Sequence, residues 1–247
     1  MKKLVTLVLL CTFYIGMAQN AVTHGKVTYH VDLEPFYKAG TEKIKNPIAE
    51  KIFKDLSIAA ERMELELTFS DNLSRFRIKK GLRVGKEERS NFMLAKTLVC
   101  KGTYYTDLDK KIQILQTRQG GEVYSIKSST ESIQWQLTDE KKKIGDFICY
   151  KATYQKKVLD NSFLVTAWYA PNIPLAFGPG EYAGGLPGLI MEVYDHITHY
   201  RCTSIELNPK EKITIPFPDE ATISTITEEE YRQKGNAAYQ MLKKNKP

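Results

Sequence analysis

Cysteine is scarce in this chain, with four among 247 residues, too few for a small disulfide scaffold. There is no internal repeat and no low-complexity tract. Beyond residue 18 no long apolar run occurs, so no membrane-spanning helix is expected in the processed chain. The nucleophile elbow G-x-S-x-G is absent. The one dense acidic run, Glu228–Glu230, reads as helix capping rather than acid–base chemistry. With no recognisable nucleophile or acid–base constellation, the sequence favours binding over catalysis and leaves a reaction unassigned.

What is present is an ordinary globular composition. Hydrophobic residues at 42% and charged residues at 26% exclude wholesale disorder and a collagenous fibre. The length suits one domain with a full core. Met1-Lys2-Lys3 begins the chain, Leu4 to Met17 carries no charge, and Ala18 follows. A basic start, a short apolar stretch and small residues at Gly16 and Ala18 predict a secretory signal peptide over residues 1–18 and a mature start near Gln19. Cys11 sits inside the apolar stretch after Leu10, which does not fit a lipid-attachment site. Cleavage removes Lys2, Lys3 and Cys11, taking the formal charge from +7 to +5. Cys100, Cys149 and Cys202 remain, either as one disulfide with a free thiol or as three thiols. Export to the periplasm, cell surface or medium makes nucleic acid an unsuitable partner for the basic clusters at Lys79, Lys80, Arg83, Lys86 and Arg89 and at Lys141–Lys143, which read as solvated faces.

Most of the mature chain alternates at period two, so strands dominate. Met63 to Phe69 alternates strictly, Ser70-Asp71-Asn72 is a turn, and Phe76 and Ile78 resume the pattern as a hairpin. Further strands are expected at 21–31, 98–106, 111–116, 122–128, 133–137 with Trp135 inward, 146–154, 162–169, 189–194 and 200–207. Two helices interrupt them. One, over 47–60, has Asn46 as cap, Pro47 at the first position, and Ile48, Ile52, Leu56 and Ala60 on one face. The other, over 228–244, follows the capping box Thr227-Glu-Glu-Glu230 and ends among Lys243, Lys244 and Lys246. The expected fold is mainly β: an antiparallel curved sheet or half-barrel in a single domain over 19–247, with one helix near each end.

Residues 171–188 stand apart, holding four of the ten prolines and five of the fifteen glycines. Proline fixes φ and glycine admits positive φ, so this segment predicts a shaped loop. Gly185-Leu186-Pro187-Gly188-Leu189-Ile190 within it spells the signature of the GLPGLI family. The stretch Thr166 to Pro179, the strand Ile190 to Tyr194, Lys151-Ala152-Thr153 and the early hairpin at 63–76 also resemble that family. The resemblance covers most of residues 63–195 and implies an exported, mainly antiparallel β protein of Gram-negative bacteria with no assigned activity. Some family members are encoded near outer-membrane transport proteins, which implies an envelope role.

Two readings of the loop follow. Pro187-Gly188 suits a tight turn, with Leu189, Met191 and Val193 then entering the core, and Gly184-Gly185 would let a backbone or an aromatic ring approach closely. Alternatively Trp168, Tyr169, Phe177 and Tyr182, with Gly184, Gly185, Leu186, Pro187 and Gly188, form a binding loop. Gly178-Pro-Gly180-Glu-Tyr-Ala183 matches a relaxed dinucleotide fingerprint, but Pro179 and Pro187 exclude the helix it needs. His196 and His199, aided by Asp195 or Glu192, are the only metal-like grouping. Their spacing fits a hairpin turn better than a ligand set, so no metal and no cofactor is expected. Three functions remain: an exported accessory or binding protein contacting an envelope protein through the 170–190 loop, a carrier of an apolar or lipid ligand inside the half-barrel, or an enzyme of unknown reaction.

Overall fold

The structure, a computed structural model, describes residues 22–33, 47–79, 85, 88–119, 121–158, 161–219, 224–231 and 233–234. The expected signal peptide, Cys11 and the expected C-terminal helix beyond residue 234 lie outside the described residues. Among the described residues twelve strands form one open, mixed sheet. The first half contributes β1 (His24–Leu33), β2 (Glu64–Ser70), β3 (Leu73–Ile78), β4 (Gly102–Asp107), β5 (Ile112–Gln119) and β6 (Glu122–Ser129). The second contributes β7 (Gln136–Ile144), β8 (Phe147–Val158), β9 (Asn161–Ala170), β10 (Leu189–Asp195), β11 (Thr198–Leu207) and the short β12 (Thr225–Ile226). Helices α1 (Pro47–Glu61) and α2 (Arg89–Val99) flank β2 and β3 in sequence.

The spatial order is β12-β6-β5-β4-β3-β2-β1-β11-β10-β9-β8-β7. Two meanders, β2 to β6 and β7 to β11, are thus joined through β1, which pairs antiparallel with both β2 and β11. Every pair is antiparallel except β12 on β6, which is parallel. That order forces curvature. From β6 to β7 there are ten inter-strand spacings, about 48 Å in a flat sheet. Yet Ser129 ends β6 and Gln136 begins β7, and seven residue steps reach at most about 25 Å. The sheet therefore curls until its two ends face each other, the half-barrel that the sequence predicts.

One face of the sheet carries a packed core. In β1 the burial alternates residue by residue, turning Val27, Tyr29, Val31 and Leu33 inward. Tyr29, Phe69, Phe76 and Phe177 are among the largest fully buried side chains. Tyr29 meets Phe76 edge-on with centroids 6.1 Å apart, and Phe69 meets Phe177 at 5.8 Å. The Tyr29 hydroxyl, buried among these rings, donates to the Ile190 carbonyl at 2.5 Å. Burying one such side chain stabilises the fold by about 1.5–3 kcal/mol.

Several sequence expectations change here. The strand expected at 98–106 begins only at Gly102, because residues 89–99 form α2. Ala95 and Val99 are buried and Phe92 packs on the core, an i, i+3, i+7 stripe too short to stand out. The strand expected at 133–137 is β7, which starts at Gln136 and runs through Lys141–Lys143 to Ile144. As the last strand of the sheet, exposed along most of its length, it has no hydrophobic alternation to read. In α1 only Leu56 and Ala60 are buried; Ile48 is 71% exposed and Ile52 47%. The purely antiparallel sheet is corrected by β12. The capping box holds: the Glu230 amide donates to Thr227 Oγ1 at 3.2 Å and the Thr227 amide to Glu230 Oε2 at 2.7 Å. Cys100, Cys149 and Cys202 are three free thiols, with burial pushing each up to about 11.

Candidate functional site

Where the two ends of the sheet meet, residues of β5, β6, β7 and β8 face one another across a seam. A cavity of about 590 Å³ lies in it, lined by residues including Gln113, Ser128, Gln134, Gln136, Gln155 and Lys156. Its lining is dominated by amide and hydroxyl side chains, with Lys156 and Lys157 set against Glu181 and Glu228. Such groups hydrogen-bond in either direction and suit a polar, mainly uncharged ligand.

The proline- and glycine-rich segment 171–188 closes one wall of the seam. Ile173, Phe177, Tyr182, Ala183 and Leu186 are all buried. The segment satisfies its backbone largely by itself and with its flanking strands. The Gly184 amide donates to Ala176 O at 2.7 Å, Leu189 to Ile173 O at 3.0 Å, and Ile190 to Phe177 O at 2.9 Å. It also reaches the other half of the sheet, where Gln113 Nε2 donates to Gly180 O at 3.1 Å. Gly184 and Gly185 have φ of +89° and +75°. A Cβ on Gly184 would lie 2.3 Å from Thr130 O, and one on Gly185 3.0 Å from Trp135 Cδ1. Both the backbone approach and the ring approach expected from the sequence are therefore realised, against the very link that joins the two sheet ends. Trp135 continues the contact, edge-on to Tyr154 at 5.0 Å and near Tyr182 at 6.4 Å.

An ionic cluster pins the segment to the second meander. Lys156 Nζ of β8 lies 2.5 Å from Glu181 Oε1, 2.6 Å from Asp195 Oδ2 of β10 and 3.1 Å from the Tyr182 hydroxyl. Tyr182 donates to the same Asp195 oxygen, and His196 Nδ1 lies 2.7 Å from Asp195 Oδ1. Burial alone would lower the Lys156 pKa, but Glu181 and Asp195 outweigh it and hold the ammonium above the usual lysine range. Burial likewise disfavours the Asp195 carboxylate, yet Lys156, Tyr182 and His196 bring its pKa below the ordinary value. Burial, then Glu181 and Asp195, push the Tyr182 phenol well up. The cluster is thus a fixed ammonium–carboxylate pair with a neutral phenol at neutral pH.

The other sequence candidates are placed as follows. Tyr169 is buried beside Tyr150, at 6.2 Å between centroids. Trp168 is half-buried beneath Lys142, whose Nζ stands 4.4 Å over its ring and 2.5 Å from Glu192 Oε2. Within the hexapeptide Gly185–Ile190, Gly185 and Pro187 are exposed and Leu186 and Gly188 buried, as is Gly184 before it. The aromatic rings of the loop thus face the core more than solvent. His196 and His199 are not brought together: His196 pairs with Asp195 and stacks on Phe163 at 4.2 Å, whereas His199 Nε2 pairs with Glu192 at 2.7 Å. Among the described residues no three metal-ligating side chains converge. Sequence reasoning missed Lys156, Glu181 and Gln113. Lys156 is one lysine of a Lys-Lys pair on a strand, and its carboxylate partners lie 25 and 39 residues away.

A family model described as a protein of unknown function (Porph_ging) matches residues 155–192. That stretch runs from the end of β8 to β10 and contains Lys156, Glu181, Tyr182 and the hexapeptide Gly185–Ile190. No curated protein matches the chain. Among solved structures, PNGF-II in the P21 space group is similar at 13% identity and a TM-score of 0.51, and PNGF-II in the C2 space group at 13% and 0.52. Each alignment covers 85% of this chain and 32% of that chain, so this chain spans about a third of the length of PNGF-II. The likeness is one of fold.

Proposed function

We propose that the chain is an exported, GLPGLI-type accessory protein of the bacterial envelope that binds a polar ligand in the seam rather than transforming it. The observation that carries this reading is the cavity of about 590 Å³ between the sheet ends, with its amide- and hydroxyl-rich lining. The basic start, uncharged stretch and small exit at residues 1–18 support export. The loop in this reading is the wall that shapes the seam, with Gly185 and Pro187 as its outward contacts for an envelope protein.

The geometry of the ionic cluster supports binding over catalysis. A general base needs a pKa near the working pH. Lys156 is held above its usual range and Asp195 below its own, so both stay charged at neutral pH. Carriage of an apolar ligand finds little support, since Tyr29, Phe69, Phe76 and Phe177 are fully buried against one another in a packed core.

Amide-shift titration with panels of uncharged oligosaccharides and of short peptides tests the binding. A member of the panel is expected to shift amides at 128–136, 154–157 and 181–183 saturably, and Gln134→Leu with Gln155→Leu to weaken it. Shifts confined to other regions, or no shift with any member, count against the seam. N-terminal sequencing of protein from envelope fractions tests export, with a start near Gln19 expected and an intact Met1 contradicting it.

A further inference from the structure

A second cleft, of about 530 Å³, opens between α2 and the neighbouring ends of β3, β4 and β5. Arg77, Lys96, Lys101 and Arg118 line it, and no aspartate or glutamate does. Four elements of the chain converge to produce that imbalance: Arg77 stands on β3, Lys96 on α2, Lys101 just before β4 and Arg118 on β5. Lys96, Lys101 and Arg118 form no ion pair among the described residues. Arg77 gives Nη2 to Glu66 at 3.1 Å, while its Nε is buried without a hydrogen-bond partner among the described residues.

Like charges gathered in a concave site reinforce one another's potential and draw in an anion. Guanidinium groups add donors whose fork matches tetrahedral or planar oxyanions. The rim of the cleft has a different character. Met93 is 52% exposed and Val123 is 61% exposed, and both belong to the lining. Gln116, Thr97, Thr103 and Thr117 complete the polar part of the lining.

We propose that this cleft binds a phosphate group, with Lys101 and Arg118 as its principal cationic contacts and Met93 and Val123 accepting any apolar portion attached to it. The site is separate from the seam. Its residues are not those of the 590 Å³ cavity, so either reading stands or falls without the other.

Calorimetric titration at low salt and neutral pH, with inorganic phosphate and with dihexanoyl phosphatidic acid below its micelle concentration, tests it. Saturable one-to-one binding of at least one probe is expected. The double variant Lys101→Glu/Arg118→Glu is expected to lose about tenfold or more in affinity, and Lys101→Gln/Arg118→Gln a smaller part. Both sites are exposed, and an unchanged melting temperature verifies that each variant is folded. Lys141→Glu/Lys143→Glu on β7 changes the net charge equally and is expected to leave binding intact. Phosphatidic acid binding tenfold tighter than phosphate assigns a lipid headgroup as the source; equal affinities assign free phosphate. Binding of neither probe overturns the proposal. So does an equal loss in the β7 variant, which would mean attraction by net charge alone.

Discussion

Lys156 Nζ lies 2.6 Å from Asp195 Oδ2, although β8 and β10 never pair: β9 runs between them. The pair therefore clamps three strands, and through Glu181 and Tyr182 it also holds the loop that walls the seam. This clamp fixes where Lys156, one of the groups lining the seam cavity, stands.

Removing one partner of a buried pair leaves the other charge uncompensated. Lys156→Met is expected to cost about 2–4 kcal/mol in urea unfolding, and Asp195→Asn a similar amount. The double variant should cost clearly less than the two together, since each single change already breaks the same interaction. Additive losses in the cycle would mean that the two groups act independently.

The pH dependence of that clamp has a defined shape. The folded pKa of Asp195 is depressed, so its contribution is complete above the unfolded value of about 3.9 and is lost as pH falls through the folded value. That of Lys156 is raised, so its contribution is complete below about 10.4 and is lost as pH rises through the folded value. The stability difference between the wild type and Lys156→Met is therefore expected to be flat from about pH 5 to about pH 9 and to shrink outside it. Denaturant curves across that range check this, and a transition near pH 7 would contradict it.

Gly184 combines a positive φ with the tightest contact on the β6–β7 link. Gly184→Ala places Cβ 2.3 Å from Thr130 O and forces a strained backbone. A loss of about 2–4 kcal/mol is expected, measured by thermal and urea unfolding. Gly145, with φ +57° and open space around it, is the control. Gly145→Ala pays only the strain, and a loss as large as that of Gly184→Ala would show that the Thr130 contact is unimportant.

Gly184 and Gly185 were legible in the sequence, because clustered Gly and Pro signal backbone shape before any tertiary contact is known. The hairpin at 64–78 was legible for a similar reason: its alternation and its turn at Asp71-Asn72 are local. The clamp was not. Lys156 looks like any surface lysine until β9 brings β10 alongside it, and nothing within several residues of it announces Asp195. Helix α2 was hidden because Leu98-Val99-Cys100 runs without a break into the strand that starts at Gly102. The course of β7 beyond Leu137 was hidden because a sheet-edge strand made of Asp139-Glu-Lys-Lys-Lys143 has no buried face to produce a pattern.

The meeting of the two sheet ends is the premise on which the seam, its cavity and its wall all depend. Spin labels at Ser129 of β6 and Lys157 of β8 measure it directly, both positions being exposed and both lining the seam cavity. With the three native thiols left unlabelled, a distance below about 25 Å is expected, because both residues line the same cavity. A distance near 43 Å, nine strand spacings of a flat sheet, would contradict the account.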